Sequence, residues 1–323
     1  MLISAYDAVL ADLDGVVYAG PNPIDGATEA LGKLAGAGVD LAYITNNASR
    51  SPGDVARHLR QLGAPAEPGL VFGSADVGAD LLAERVPAKS KILVVGSAYL
   101  RDCVVARGLT LADSAQDGPA AVIQGFDPDV NWRDLAEAAH ALNVGALWVA
   151  TNMDMTLPLP RSIAPGNGAL VGTVAQATDV QPVVAGKPEP LLFHVAADQL
   201  AASRPLVVGD RLDTDILGGN RAGHATAVVL TGIDDIESVL GAPTTQRPRY
   251  ILGNLAELFS DYPVVQATGK QIVCGKTRAS VDGKRIVVTG DRDDLNAWRA
   301  ACSAWWHANP RTEERTMPEV TFG

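Results

Sequence analysis

At 323 residues, with 47% hydrophobic and 20% charged side chains, the chain has the make-up of a soluble globular protein long enough for two or three modules. No apolar run approaches the roughly 20 residues of a membrane span, and the opening segment, without a basic start and broken by Asp7, Asp12 and Asp14, does not read as a secretory leader. A net charge of −11 sets the surface against nucleic acid and anionic membranes, so neither is an expected partner, and the three scattered cysteines, Cys103, Cys274 and Cys302, make no even disulfide framework; the chain reads as cytoplasmic.

Apolar strands and helix-patterned segments alternate along most of the length, the signature of an α/β protein with a largely parallel sheet. Val9–Leu13 is the first strand, Ala27–Ala37 a helix stopped by glycines, and Val39–Ile44 a second buried strand. Ser51-Pro52-Gly53-Asp54 combines an N-cap, a first-turn proline and a capping-box acid, opening a helix whose core face is Val55, Leu59 and Leu62. The alternation repeats through Lys91–Val95, Ala98–Arg107, Ala120–Gln124, Trp132–Leu142 and Ala146–Ala150, then resumes with Pro190–Leu200, Leu206–Val208, Asp215–Ala222 and Ala225–Leu230. The first pattern is thus split by an insertion, giving a core over 1–80 and 185–262 and an inserted α/β domain over 81–184. Beyond Tyr262-Pro263, short strands surround an Asp282-Gly283 hairpin signal and precede a helix with Leu295, Trp298, Cys302 and Trp305 on one face. This appendage over 263–323 could pack on the core, mediate homodimer formation or sense a ligand.

Four polar clusters follow apolar runs. Alone, Asp12-Leu13-Asp14-Gly15 reads first as a turn; in its favour as a site, the two acids lie on the same side of an extended chain, and the carboxyl ends of parallel strands are where α/β proteins bind ligands. Thr45-Asn46-Asn47 offers a hydroxyl and backbone N–H groups to phosphate oxygens, or caps the next helix. Gly186-Lys187-Pro188 holds a lysine between restraining residues, or leaves it in solvent. Asp210-Arg211-Leu212-Asp213-Thr214-Asp215 is richer in acids than a strand-to-helix turn requires.

In conjunction and in this order, the four clusters resemble the signature motifs of the haloacid dehalogenase-like (HAD) hydrolases, and more finely the nucleotidase and p-nitrophenyl-phosphatase-like subfamily with a C2-type cap. The resemblance covers about residues 5–260. It implies a Rossmann-like core with an inserted α/β cap, the small α+β appendage lying outside it, and a Mg²⁺-dependent phosphatase working through an aspartyl-phosphate. Asp12 is then the nucleophile and Asp14 the acid–base, neutral before reaction. Asp12, the Asp14 carbonyl and Asp210 hold Mg²⁺, Asp215 orients its water from one layer out, and Thr45, Asn46, Asn47 and Lys187 bind the phosphoryl oxygens. An acid two residues after the nucleophile serves phosphotransfer; the dehalogenases have no use for it.

With little more than a helix between Asp14 and Thr45, the cap lies between Thr45 and Lys187 and sets the substrate. Its segments Thr151-Asn152-Met153-Asp154 and Pro165-Gly166-Asn167-Gly168 also resemble the subfamily; the second is a substrate-adjacent loop or a tight turn, and Arg161 meets an anionic group or faces solvent. Similar proteins act on glycerol 3-phosphate, phosphoglycolate, pyridoxal phosphate or nucleoside monophosphates. A small polyol phosphate, glycerol 3-phosphate first, is the expected phosphorylated metabolite. A phospho-accepting receiver domain would place its phosphorylated acid on a later strand, and a non-catalytic scaffold would not require the unbroken acids, threonine and lysine.

Overall fold

The strand Ala8–Ala11 is buried at all four positions, as a strand with neighbours on both sides and covered faces requires. In the computed structural model, which describes residues 1–158 and 161–323, the chain divides into two compact units. Residues 1–41, 62–65 and 200–323 form the first; residues 42–61 and 66–199 form the second. Segmentation by chain order separates a core, an insertion and an appendage, whereas the first unit joins the appendage to most of the core. Among the described residues no helix is long and apolar enough to cross a membrane.

The first unit is built on parallel strands in the order Tyr250–Leu252, Ala225–Val229, Pro205–Gly209 and Ala8–Ala11. Asp40 continues the sheet, its N–H donating to Asp7 at 2.9 Å. Pairing Ala11 with Val208 brings the ends of two strands side by side, and Asp12 extends the ladder by donating to the Val208 carbonyl at 2.9 Å. At the other end, Asp7 accepts from the Ser203 N–H and hydroxyl and from the Arg204 N–H at 2.7–3.0 Å. Burial pushes this carboxyl up, but the hydrogen bonds outweigh it and hold Asp7 below its ordinary value.

The appendage contributes antiparallel strands Val265–Thr268, Gln271–Cys274, Thr277–Asp282 and Arg285–Thr289, with Glu319–Phe322 returning parallel to the last. Its helix, Leu295–Ala308, starts at Asp294, whose side chain accepts the Asn296 N–H. The apolar face expected from sequence is buried at Trp298, Cys302 and Trp305. Those residues share one core with Ile272, Ile286 and Val288 of the appendage and with Val228, Ile251, Val239 and Leu240 of the parallel-sheet portion. Of the three roles left open for the appendage, packing is therefore realised. At this junction Arg299, 6% exposed, donates to the Ile251 carbonyl at 2.7 and 3.0 Å, pairs with Glu257 and lies over the Tyr262 ring.

In the second unit residues 43–45 pair in parallel with Val71–Gly73. A separate five-stranded parallel sheet follows, in the order Val183–Val184, Leu147–Ala150, Ala121–Gln124, Lys91–Val95 and Thr110–Ala112. Helices Trp132–Asn143 and Asn167–Thr178 cover one of its faces around the buried Trp148. The Pro52–Gln61 helix has the expected cap: the Ser51 hydroxyl accepts the Asp54 N–H and donates to the Asp54 carboxylate.

Two stability predictions follow from these junctions. Arg299→Ala leaves Glu257 and the Ile251 carbonyl without their guanidinium and should cost about 3 kcal/mol in a urea melt. Asp7→Asn should cost about 1 kcal/mol at neutral pH. Because the folded-state pKa of Asp7 is depressed, wild type holds this advantage above the ordinary carboxylate range and loses it as the pH falls through that depressed pKa, so the two melts should converge on acidification.

Candidate active site

Each half of the candidate machinery is built at strand ends within its own unit. In the first unit the chain leaves Ala8–Ala11 at Asp12, and the buried side chains of Leu13, Val16 and Val17 pin the following turn. The Leu13 carbonyl accepts from Val17 at 2.8 Å, and Gly15, at φ +77°, donates to Tyr18 at 2.9 Å. Asp14 lies exposed on this turn. Asp210, 2% exposed, follows Pro205–Gly209 directly. Its Oδ2 accepts the Ile233 N–H at 2.8 Å, and its main-chain carbonyl accepts the Asp234 N–H at 3.1 Å.

The chain then makes one wide π-helical turn, Leu212–Ile216, before the α-helix Leu217–Arg221. The turn brings Asp215, 1% exposed, back beneath its own start, where Oδ2 accepts the Arg211 N–H at 3.1 Å. Asp213 lies outside, in a two-pronged pair with Arg211 at 2.8 and 3.0 Å. Asp12, Asp210 and Asp215 each offer one carboxylate oxygen, and these oxygens lie within 4.8 Å of one another. Asp215, expected from the sequence one layer out from the ion, lies beside the other two acids.

An all-oxygen set of acids this close favours a hard divalent cation, which relieves their mutual repulsion. Backbone approaches closely around it: a Cβ on Gly15 would fall 2.2 Å from Asp210 Oδ2, and one on Gly232 would fall 2.0 Å from the same atom. The cradle is completed by the loop after Ala225–Val229. Thr231 donates its hydroxyl to the Gly15 carbonyl at 2.6 Å, and Asp234 accepts the Leu212 N–H at 2.8 Å. Burial, reinforced by the Asp213 charge, pushes the Asp234 carboxyl above its ordinary value against the lowering effect of the Leu212 N–H. Nothing in the sequence pattern of this loop singles it out, because its partner Gly15 lies 216 positions away along the chain.

In the second unit Thr45 ends its strand 6% exposed, and its hydroxyl accepts the Asn47 N–H at 3.1 Å. Asn46 is the hub. Its Oδ1 accepts the Lys187 N–H at 2.8 Å, while its Nδ2 donates to the Lys187 carbonyl and to both Asp154 carboxylate oxygens at 3.1 Å. The Asn46 carbonyl accepts from the Ser74 hydroxyl and the Asn152 amide at 2.7 and 2.8 Å. Lys187 is 3% exposed, so it is not the solvated lysine that a loop position alone suggests. Asn47 is exposed and engaged locally, accepting from the Ser49 N–H and hydroxyl.

The two cap segments singled out in the sequence belong to this network. Asn167 donates to the Asn152 carbonyl at 2.8 Å, and the N–H groups of Gly166 and Gly168 donate to the Met155 and Asp154 carbonyls. Sequence reasoning did not place Asp154 or Ser74 among the site residues. Asp154 sits in a segment already noted, but nothing local ties it to Asn46; Ser74, first residue of the helix Ser74–Ala83, carries no signal at all. Arg161 is exposed.

A family model described as haloacid dehalogenase-like hydrolase matches residues 9–110, and a second, described as HAD-hydrolase-like, matches 184–258. The chain is 41% identical over 313 residues to D-glycerol 3-phosphate phosphatase of Mycobacterium tuberculosis (strain ATCC 25618 / H37Rv), covering 94% of this chain and 86% of that protein. It is 37% identical over 287 residues to glycerol-3-phosphate phosphatase of Gallus gallus, covering 80% and 92%. The crystal structure of glycerol phosphate phosphatase from Mycobacterium tuberculosis in complex with magnesium matches with a TM-score of 0.89 at 38% identity, over 100% of this chain and 95% of that one.

The close approach at Gly232 generates a prediction. Gly232→Ala should displace Asp210 and move the MgCl₂ concentration that raises the melting temperature upward by roughly tenfold or more, a shift read directly from thermal melts across a magnesium titration.

Proposed function

Because the chain belongs to the haloacid dehalogenase-like hydrolases and is a phosphoric monoester hydrolase, we propose that it is a Mg²⁺-dependent phosphatase acting on a small polyol phosphate, glycerol 3-phosphate foremost. The observation that carries the substrate is the 41% identity to a D-glycerol 3-phosphate phosphatase over 94% of the chain. The acid cluster of Asp12, Asp210 and Asp215 supports the metal requirement. Asp12 and Asp210 would hold Mg²⁺ by their carboxylates and Asp14 by its main-chain carbonyl, with Asp215 bracing the set. When bound, the ion supplies positive charge between the attacking carboxylate and the phosphoryl group.

In this reading an Asp12 carboxylate oxygen attacks phosphorus in line, forming an acyl-phosphate bond as the ester P–O bond breaks. Asp14 gives its proton to the departing alkoxide, which leaves as the alcohol. The same group then takes a proton from water as that water attacks phosphorus, releasing inorganic phosphate and restoring Asp12. Thr45, the Asn46 and Asn47 segment and Lys187 would bind the equatorial oxygens, where charge spreads in the transition state. Asn46 supports that role through its bonds to the Lys187 main chain, which fix where the lysine starts. The reading includes a cytoplasmic location, supported by three cysteines that are all free and buried.

A panel of phosphate esters assayed with Mg²⁺ should give glycerol 3-phosphate the highest kcat/KM, and a markedly higher value for pyridoxal phosphate, phosphoglycolate or a nucleotide would displace it. Chelation with EDTA should abolish turnover and added Mg²⁺ restore it. Asp12→Asn, nearly equal in volume, should lower kcat by roughly a thousandfold or more; unchanged turnover would rule out the covalent route.

A further inference from the structure

The loop between the strand Ala225–Val229 and the helix Ile236–Leu240 is tied to both acid-bearing segments, yet it has little apolar anchorage of its own. Gly232 and Ile233 are exposed, Ile233 to 61%. Its bonds reach forward to the site: Thr231 to the Gly15 carbonyl, Ile233 to the Asp210 carboxylate, Asp234 to the Asp210 carbonyl and the Leu212 N–H. Behind it, Asp235 caps the helix by accepting the Ser238 N–H at 2.7 Å. The loop can therefore stand only where that helix stands.

The helix in turn is gripped by the C-terminal appendage. Arg292 donates to Glu237 at 3.1 Å, Arg315 to the Ser238 hydroxyl at 3.0 Å, the Trp306 indole to the Leu240 carbonyl at 3.1 Å, and the Thr316 N–H to the Gly241 carbonyl at 3.0 Å. Val239, Leu240 and Ala242 are buried in the same core as Trp298, Cys302 and Trp305. Three polar ties on a helix of five residues, a fourth on its C-cap Gly241 and a shared core bind this short element closely to the appendage. We propose that the appendage is a clamp that fixes the 231–235 loop and thereby sets the affinity of the acid cluster for Mg²⁺, with Asp234 as the positioning residue through which the clamp acts.

The proposal rests on the reading of Asp12, Asp210 and Asp215 as the metal site, and its test separates the two. Gly241 has φ −80° and ψ 2°, outside the positive-φ region that favours glycine. Its Cβ would fall 2.5 Å from Met317 Sδ and 3.1 Å from the Thr316 carbonyl, so Gly241→Ala presses the helix C-terminus against the appendage, far along the chain from any acid of the cluster. In the full-length protein, Mg²⁺ binding is measured by isothermal titration calorimetry for wild type, Gly241→Ala, Asp234→Ala and Asp234→Asn, with melting in EDTA as the control for folding and amide exchange at Leu212, Ile233 and Asp234 as the report on the loop.

The clamp predicts a Kd for Mg²⁺ raised roughly tenfold in Gly241→Ala and Asp234→Ala, with faster exchange at the three amides. Asp234→Asn, whose amide oxygen still accepts the Leu212 N–H, should recover most of the affinity. A Kd within about twofold of wild type in folded Gly241→Ala and Asp234→Ala would overturn the proposal. Should wild type itself bind no Mg²⁺, the metal reading fails and the clamp with it.

Discussion

Mutual repulsion among three carboxylates is the constraint around which the first unit is organised. At the 4.8 Å or less that separates the offered oxygens of Asp12, Asp210 and Asp215, each like-charge pair costs about 3 kcal/mol or more at an effective dielectric near 20. Asp210 and Asp215 are almost wholly withdrawn from water, so solvent relieves little of it. The chain answers with backbone dipoles, the Ile233 N–H on Asp210 and the Arg211 N–H on Asp215. These bonds hold the acids in a close all-oxygen arrangement of the kind that a hard divalent cation favours.

The second unit solves a related problem with opposite means. A lysine only 3% exposed needs its neighbourhood fixed, and Asn46 does this by gripping the Lys187 main chain on both sides of the residue, through its N–H and its carbonyl. The same amide engages Asp154, and the Asn46 carbonyl is shared by Ser74 and Asn152. Residues 46, 74, 152, 154 and 187 are thus one hydrogen-bonded object, although the chain visits it in four separate passes. In a network of this kind the worth of one member depends on the others, so single deletions overstate individual contributions.

Much of this was legible from residue order. Strands Lys91–Val95, Ala121–Gln124 and Leu147–Ala150 follow from their apolar runs, the cap at Ser51 from its spacing to Asp54, and the Leu295–Ala308 helix from its aromatic face. The acid, threonine and lysine clusters stand out because each follows an apolar run. What escaped has a common physical cause, contact between residues far apart in the chain: Thr231 of the 231–235 loop meets Gly15 across 216 positions, and Asp154 meets Asn46 across 108. The surface covered by the Trp298 and Trp305 face was equally hidden. Periodicity shows that a helix has an apolar side, never what it covers.

The wide turn at Leu212–Ile216 has a consequence for how this segment can change over time. A π-helical turn holds one residue more than α-helical geometry needs, and that surplus residue lets Asp210 and Asp215 meet. Losing a single position between them would restore ordinary helical spacing and swing the second acid by about 100° around the axis, whatever side chains remained. Here the length of the segment is a constraint separate from its side chains: an insertion or deletion of one residue between the two acids rewrites the site.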